Sequence, residues 1–294
     1  MKIGINMHSH AVGGSKLALR EQLDLFTNVG FDCVELMPDS LNLIRNGILD
    51  KRGCSSVLDI LSSYDFLYTT HAPLKANLAN ASLVRISEGI IKACIGFSVL
   101  INARILVLHA GFVVPSDKFS IFTRPLAGAL MALIDSMRRC AEYASNSGIS
   151  IGIENGELGA THLFKGIDSL LDVVEAIDMD NVGVALDIGH LYLTANYYGF
   201  DLLEATEKAL THMIHAHLSD NFGKFDPLSP YEKDLPYGYG DLHLPIGLGN
   251  VPYKDILELI KPVYKGVYIL DIDPEYKDFY PLALKNLKEL LEGS

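Results

Sequence analysis

The chain has 294 residues, 49% of them hydrophobic, which is enough for one large core. An α/β barrel needs about 250 residues, so the length is typical of that architecture. Asp and Glu total 36 against 24 Lys and Arg, and the net charge of −12 argues against a broad surface for nucleic acid or an anionic membrane.

Apolar runs alternate with helix-period segments along the whole chain. Strands are predicted at 2–7, 31–36, 66–71, 105–109, 150–154, 182–186, 213–217 and 266–271. Helices are predicted at 15–29, 55–63, 82–102, 125–146, 167–177, 200–211, 252–260 and 276–291, the first with Ser15 as N-cap and Gly30 as stop. Eight strand-then-helix units predict a (β/α)8 TIM barrel that forms a single domain over residues 1–294.

An open doubly wound sheet is the main structural alternative. That fold concentrates its site at one switch point and often carries a Gly-rich phosphate loop after the first strand. Here Gly13-Gly14 is only a fragment of such a loop, and polar residues end nearly every strand. The barrel is therefore the preferred architecture.

Cysteine usage and apolar runs bear on the compartment. The four cysteines are far apart and form no C-x-x-C pair, which is typical of reduced, buried thiols. The N-terminal residues enter a strand pattern directly, without a signal-peptide apolar region. The most apolar region, 89–114, contains charged residues and cannot span a bilayer. We therefore expect a soluble cytoplasmic protein without a membrane partner.

Polar side chains with metal-ligand chemistry recur where the predicted strands end. The candidates are His71, His109, Glu154, Asp187, His190, His217, Asp241, His243 and Asp271. Imidazole and carboxylate ligands without thiolate suit Zn²⁺, Mn²⁺ or a similar ion. Nine ligands exceed what one tetrahedral ion takes, so two or three ions that share bridging carboxylates are expected.

Each candidate also has a purely structural interpretation. A single histidine at a strand end is usually a hydrogen-bonded structural residue, and Asp187-Ile-Gly-His190 could be a turn with a helix cap. Asp241 and His243 lie in a loop rich in Gly and Pro, where polar residues are common. These interpretations would have to hold at every strand from the third to the eighth, which favours a metal site.

Six short motifs, in this order and spacing, resemble the xylose isomerase-like TIM barrels. That superfamily includes sugar isomerases and epimerases as well as the endonuclease IV type of apurinic-site nuclease, AP endonuclease family 2. The motifs are His71-Ala-Pro73 with Asn77-Leu78, Leu108-His109-Ala-Gly111, Glu154-Asn155, Asp187-Ile-Gly-His190, His217-Leu-Ser-Asp220 and Asp241-Leu-His243-Leu-Pro-Ile-Gly247-Leu-Gly249. They are specific for the superfamily and much less specific for the reaction.

The resemblance implies two overlapping ligand sets. All nine candidates fill metal positions of the endonuclease IV-like pattern, with Asp271 where that pattern usually has Glu. The ketose epimerases use four of these positions around one ion, matched here by Glu154, Asp187, His217 and Asp271. The implied cofactor is therefore one to three divalent ions, Zn²⁺ or Mn²⁺ first, with Mg²⁺ and Co²⁺ as further candidates.

The first functional hypothesis is a sugar or sugar-phosphate isomerase or epimerase. A divalent ion polarises the carbonyl of a bound sugar, and Glu154 and Asp271 then remove and return a proton beside it. Candidates for contacts to substrate hydroxyls or phosphate are His8, Glu157 and Lys224.

The second hypothesis is metal-dependent hydrolysis of a phosphodiester at abasic sites in DNA. The complete ligand set favours it. Against it, Leu74 stands where the nuclease-like pattern tends to have an aromatic residue, and Glu157 adds negative charge where a backbone phosphate would approach. The modest basic cluster of Arg45, Lys51 and Arg52 offers few phosphate contacts.

A third hypothesis is a sensor or carrier that binds a polyol without catalysis. The paired acids argue mildly against it.

The loop 222–240 is longer than most barrel loops and is expected to act either as a lid or as a surface or subunit contact. A homo-oligomer is compatible with every hypothesis.

Overall fold

Eight parallel strands close into a barrel, as the alternation of strands and helices predicts. The computed structural model describes residues 1–112, 125–156, 163–164, 166–225 and 233–293. The barrel strands are β1 (Lys2–Met7), β2 (Cys33–Leu36), β3 (Leu67–His71), β4 (Ile105–His109), β5 (Ser150–Glu154), β6 (Val182–Asp187), β7 (Met213–Leu218) and β8 (Val267–Leu270). Each pairs in parallel with its neighbours along the chain, and β1 also pairs with β8, which closes the barrel. The predicted (β/α)8 fold is confirmed, and the open doubly wound sheet is excluded.

The described part of the chain contains ten α-helices. They are α1 (Ser9–Val12), α2 (Lys16–Val29), α3 (Lys51–Leu61), α4 (Val84–Leu100), α5 (Pro125–Ser145), α6 (Ile167–Ile177), α7 (Ile188–Tyr198), α8 (Leu202–Ala209), α9 (Tyr253–Val263) and α10 (Tyr280–Glu292). The boundaries predicted for α2 are confirmed: the Ser15 hydroxyl accepts from the backbone N–H of Ala18, and Gly30 ends the helix at a φ of 94°.

The strands are buried on both faces because side chains fill the barrel on one side and helices cover the other. All six residues of β6 are buried. Gly183 in this strand allows a close approach, since a Cβ there would lie 2.6 Å from the carbonyl oxygen of His212. The polar residues that end β3, β4, β5 and β6 therefore stand at the rim of fully packed strands.

Helix α7 has no counterpart among the predicted helices. It starts directly after β6, where Asp187 is its N-cap and the Asp187 Oδ1 atom accepts from the backbone N–H of His190 at 2.7 Å. Asp187-Ile-Gly-His190 thus forms the helix cap that the structural interpretation predicted. Asp187 and His190 nevertheless also belong to the cluster of polar residues at the strand ends.

Hydrogen bonds to the backbone fix the described parts of the long connection between β7 and α9. Asp220 and Leu244 form an isolated antiparallel bridge. The oxygens of the Asp220 carboxylate accept from the backbone N–H groups of Asn221, Gly247, Gly249 and Val251. This buried carboxylate fixes the path of the segment that carries Asp241 and His243. Residues 226–232 of the loop 222–240, predicted to be either a lid or a surface or subunit contact, lie outside the described residues.

Two further observations concern the cysteines and the helices. Cys33, Cys54, Cys94 and Cys140 are all free and buried, as expected. Among the helices in the described ranges, none combines the length and the apolar character that a membrane span requires.

Candidate metal centre

The nine candidate ligands meet at the carboxyl end of the barrel. His71, His109, Glu154 and Asp187 are the last residues of β3, β4, β5 and β6. The others lie near a strand end or in the β7–α9 connection, namely His190, His217, Asp241, His243 and Asp271. Because all strands run in one direction, these ends share one rim, where barrel enzymes carry their active sites. The side chains form three groups whose ligand atoms lie within 4.8 Å of one another.

The first group consists of His71, His109 and Glu154. The Oε2 atom of Glu154 lies 3.2 Å from His71 Nε2 and 2.9 Å from His109 Nε2. The Nδ1 atom of His71 is 2.6 Å from the carbonyl oxygen of Ala72, which can only accept a hydrogen bond. Nδ1 therefore carries a proton, so Nε2 is the nitrogen that could offer a lone pair to an ion.

The second group consists of Glu154, Asp187, His217 and Asp271. The Oε1 atom of Glu154 lies 2.9 Å from His217 Nδ1, so its two oxygens face two different groups. All four side chains are buried, and Asp187 and His217 have no exposed surface. Glu154 is the geometric link between the first and second groups.

The third group consists of His190, Asp241 and His243. The Oδ2 atom of Asp241 lies 3.1 Å from His190 Nε2 and 2.8 Å from His243 Nε2. Each ring uses Nδ1 toward a backbone carbonyl, that of Asn155 for His190 and that of Asp271 for His243. His243 adopts a left-handed backbone conformation with a φ of 45°, which is uncommon for a residue other than glycine. Such a conformation persists where the surrounding contacts hold the backbone in place, as they often do at functional sites.

Three buried carboxylate oxygens in these groups have no hydrogen-bond partner among the described residues, namely Asp187 Oδ2, Asp241 Oδ1 and Asp271 Oδ1. An unpaired buried oxygen of this kind costs free energy unless a cation or a donor reaches it. The donor set contains imidazole and carboxylate only, which is the ligand chemistry of Zn²⁺ and Mn²⁺. The residues present therefore fit divalent metal ions.

Charge pairing sets the protonation of the centre. Burial acts to raise the pKa of Glu154, but charge interactions with His109 and His217 and hydrogen bonds from them outweigh it and hold that pKa well below its ordinary range. Burial likewise opposes the charge of Asp241, and His243 and His190 hold its pKa well below its usual value. Burial prevails only at Asp187, whose pKa it raises to about 6. A cation beside Asp187 would restore the ionised form.

A cavity of about 140 Å³ opens above the centre. Its lining comprises Asn6, His8, Ser9, His10, Met37, His71, Leu74, His109, Glu154, His190, His243 and Asp271. A larger cavity of about 540 Å³ lies against α9 and α10, and none of the nine candidate ligands lines it. The chemistry therefore belongs to the smaller cavity, which has room for a small molecule.

The three predicted substrate contacts fall in different places. His8 lines the cavity, and its Nε2 atom lies 3.0 Å from Asp271 Oδ1. Lys224 is exposed and is not among the residues that line the cavity. Glu157 lies outside the described residues. The roles of all three remain predictions.

A buried polar layer lies beneath the centre, at residues that were not among the candidates predicted from the sequence. Glu35 on β2 and His215 on β7 are both buried and in contact with each other. The spacing of His215 and His217 on one strand is a usable signal, because residues two apart point to the same face. Asn6 on β1 also belongs to this layer and donates to Glu35.

Comparisons with known proteins agree with this architecture. Residues 23–291 match the family model of the xylose isomerase-like TIM barrel. The uncharacterized protein MJ1614 of Methanocaldococcus jannaschii is 24% identical over 282 residues, which cover 92% of this chain and 99% of that protein. A probable endonuclease 4 of Mesomycoplasma hyopneumoniae is 24% identical over 243 residues, 80% of this chain and 76% of that protein.

Among solved structures, a D-tagatose 3-epimerase-like protein is similar with a TM-score of 0.77 and 24% sequence identity, over 99% of this chain and 97% of the other. This similarity is at the level of the fold. The family model covers most of the sequence and includes all nine candidate ligands, from His71 to Asp271. The chain belongs to the xylose isomerase-like TIM barrel family.

Proposed function

We propose that this protein is a divalent-metal-dependent sugar isomerase or epimerase. The observation that carries the proposal is the second group: it contains two carboxylates, Glu154 and Asp271, that also line a small cavity. Solved structures of similar fold include a D-psicose 3-epimerase with D-fructose and an L-ribulose 3-epimerase. Those names support a sugar as the class of substrate.

The second group, Glu154, Asp187, His217 and Asp271, would hold the ion that the reaction needs. When bound, a divalent ion polarises the carbonyl and the adjacent hydroxyl of a sugar and makes the C–H between them acidic. Zn²⁺ and Mn²⁺ fit the donors best, and Mg²⁺ and Co²⁺ remain candidates.

Glu154 and Asp271 supply the proton transfer. Burial opposes the charge on Asp271, but His243 and His8 hold its pKa well below the ordinary value, so both carboxylates are ionised at neutral pH. One of them removes the proton from the carbon beside the carbonyl. Return of that proton by the same carboxyl group to the neighbouring carbon isomerises the sugar, whereas inversion needs the other carboxylate to take up a proton from solvent first and to deliver it to the opposite face.

His8 orients one of these acids. Its ring nitrogen Nε2 lies 3.0 Å from Asp271 Oδ1, and its ring packs edge-on against the ring of His243 at 5.5 Å. The side chain of Asp271 is one methylene shorter than Glu, so its position depends on such contacts. His8 is also about one-sixth exposed, at 17% of its side chain, and is thereby available to a substrate hydroxyl.

Hydrolysis of phosphodiesters at abasic sites in DNA is the second candidate function. Three ligand groups, two of them joined by Glu154, favour it because two or three ions suit phosphodiester cleavage. The probable endonuclease 4 among the relatives also supports it. The net charge of −12 and the 140 Å³ cavity with Leu74 in its wall favour the sugar substrate instead.

Solvent deuterium exchange tests the proposal without knowledge of the product. The metal-loaded protein is incubated in D₂O with a panel of ketoses, aldoses and their phosphates, and NMR detects deuterium beside the carbonyl. We expect exchange with at least one sugar, and its loss in Asp271→Asn at equal metal content. If no sugar exchanges while the same protein cleaves abasic DNA, the nuclease hypothesis replaces this one.

A further inference from the structure

A fully buried carboxylate lies one layer below the candidate metal centre. Glu35 on β2 has no exposed surface, and none of the steps above uses it. It faces β7, where His215 and His217 alternate with outward residues and point into the barrel. The three side chains offer ligand atoms within 4.8 Å of one another.

Four neighbours hold the Glu35 carboxylate. Its Oε1 atom accepts from Asn6 Nδ2 at 3.0 Å and lies 2.9 Å from His217 Nε2. Its Oε2 atom accepts from Thr69 Oγ1 at 3.0 Å and is 2.9 Å from His215 Nε2. Asn6 and Thr69 are its register partners on β1 and β3, so neighbouring strands fix the carboxylate from both sides.

This arrangement is costly unless it serves the site. A buried ion pair generally adds little stability over apolar residues of similar volume, because two charges lose their hydration. Ile5 and Leu36, the chain neighbours of Asn6 and Glu35, point to the opposite face and are buried in the apolar core, so the strands themselves do not require a charge here. A leucine in place of Glu35 would fill the space without that cost, so the carboxylate needs another explanation.

His217 supplies that explanation, because its two ring nitrogens face different partners. Nδ1 faces Glu154 Oε1 at 2.9 Å in the second group, and Nε2 faces Glu35 Oε1 at 2.9 Å below it. A histidine ligand needs a lone pair on the metal-facing nitrogen and a proton on the other one. A carboxylate beside that other nitrogen fixes the tautomer and the ring orientation and raises the basicity of the ligand.

We infer that Glu35 is a positioning residue for His217, which it holds by Nε2 so that Nδ1 is presented to the ion in the second group. The inference rests on the proposed function only in requiring a bound ion. His215, Asn6 and Thr69 keep the carboxylate in place. Glu35 is not itself a ligand, since its oxygens are already engaged by these four neighbours.

Zinc affinity of two variants tests this role in the absence of any substrate. Glu35→Gln keeps the shape of the side chain and removes its charge, while Thr69→Val removes one hydrogen bond to Oε2 and leaves the Oε1 contact to His217. Loss of such a carboxylate partner typically weakens metal binding about 10- to 100-fold. We expect that loss for one ion in Glu35→Gln and a change of less than about threefold in Thr69→Val. Competition with a chromophoric chelator measures both.

The wild-type protein provides a second test that no folding defect can obscure. In the zinc-loaded form, ¹⁵N NMR of His217 should show a protonated Nε2 and a metal-bound Nδ1. The opposite assignment would overturn the inference, as would equal zinc affinities of Glu35→Gln and wild type. Complete loss of one ion in Glu35→Gln, with unchanged affinity for the rest, would also overturn it and make Glu35 a ligand. Wild-type protein that binds no zinc would instead contradict the proposed function itself.

Discussion

The backbone N–H of His190 donates to Asp187 Oδ1 at 2.7 Å, and this one helix cap connects the second and third ligand groups. Because the same carboxylate ends β6 and starts α7, it fixes where His190 stands relative to the strand rim. The other oxygen of Asp187, Oδ2, has no hydrogen-bond partner among the described residues and is free to bind an ion in the second group.

Substitutions at Asp187 should separate capping from metal binding. In Asp187→Asn the amide oxygen still caps α7, so we expect little change in the unfolding free energy of the metal-free protein but at least about tenfold weaker zinc binding. Asp187→Ala should lose the cap as well, at about 1 kcal/mol. Urea unfolding and zinc competition measure the two effects. Equal zinc affinity in wild type and Asp187→Asn would exclude Asp187 as a ligand.

Glu154 should matter to more ions than Asp241 does, because it belongs to two groups and Asp241 to one. We expect Glu154→Gln to reduce the number of tightly bound ions by at least two and Asp241→Asn by one, since only the third group is affected. Mass spectrometry of metal content after dialysis gives the count. The same loss in both variants would contradict the bridging role of Glu154.

Stability should depend on pH in opposite ways with and without metal. Burial favours neutral rings, but neighbouring carboxylates raise the pKa of His190, His217 and His243 well above 6.5. In the metal-free protein these ion pairs stabilise the fold below pH 6.5, and that contribution is lost as pH rises through the folded-state pKa values.

Metal ligation requires the unprotonated rings, so the stabilisation by zinc should instead grow with pH. Thermal unfolding between about pH 6 and pH 8.5, with and without zinc, tests both trends. A zinc-induced shift in Tm that shrinks toward alkaline pH, under conditions where zinc stays dissolved, would contradict this account.

Asp220 should support the third group from a distance. Its carboxylate accepts four backbone N–H groups and orders the segment that carries Asp241 and His243. Because each unsatisfied buried group costs about 1–3 kcal/mol, Asp220→Ala should lose about 3 kcal/mol or more of unfolding free energy and weaken zinc binding. Denaturant titration and zinc competition measure the two losses.

Asp201 offers a matched control for Asp220. It caps α8 by accepting from the backbone N–H groups of Leu203 and Glu204, and it does not belong to the ligand groups. Asp201→Ala should cost about 1 kcal/mol and leave zinc affinity unchanged. If it weakened zinc binding as much as Asp220→Ala, the effect would reflect general stability rather than support of the site.

The barrel could be predicted because its strands are short apolar runs, most of which end at or next to a polar residue. Helix α7 could not, since nearly all of its residues from Ile188 to Ala195 are buried and it therefore lacks the polar face that makes a helix visible in sequence. Asp187-Ile-Gly-His190 indicated the strand end and, in its structural interpretation, a helix cap, but not the 11-residue helix that follows. The two-residue strands at Ile44–Arg45 and Lys233–Asp234 are too short to leave a pattern.

The rim of the site could be predicted more fully than the layer beneath it. His217 stands at a strand end, where a polar residue is conspicuous. Glu35 lies within a strand between Val34 and Leu36, where a charged residue ordinarily indicates an outward position. The three-dimensional structure of the closed barrel is needed to show that Glu35 points into the barrel interior, where it contacts His215 and His217.

Anomalous diffraction at the zinc edge, from crystals of the zinc-loaded protein, tests the central claim most directly. The account predicts an ion bound by Glu154, Asp187, His217 and Asp271, with further ions at the first and third groups as loading increases. Zinc located away from this rim, or no zinc at a concentration that saturates binding in solution, would contradict it.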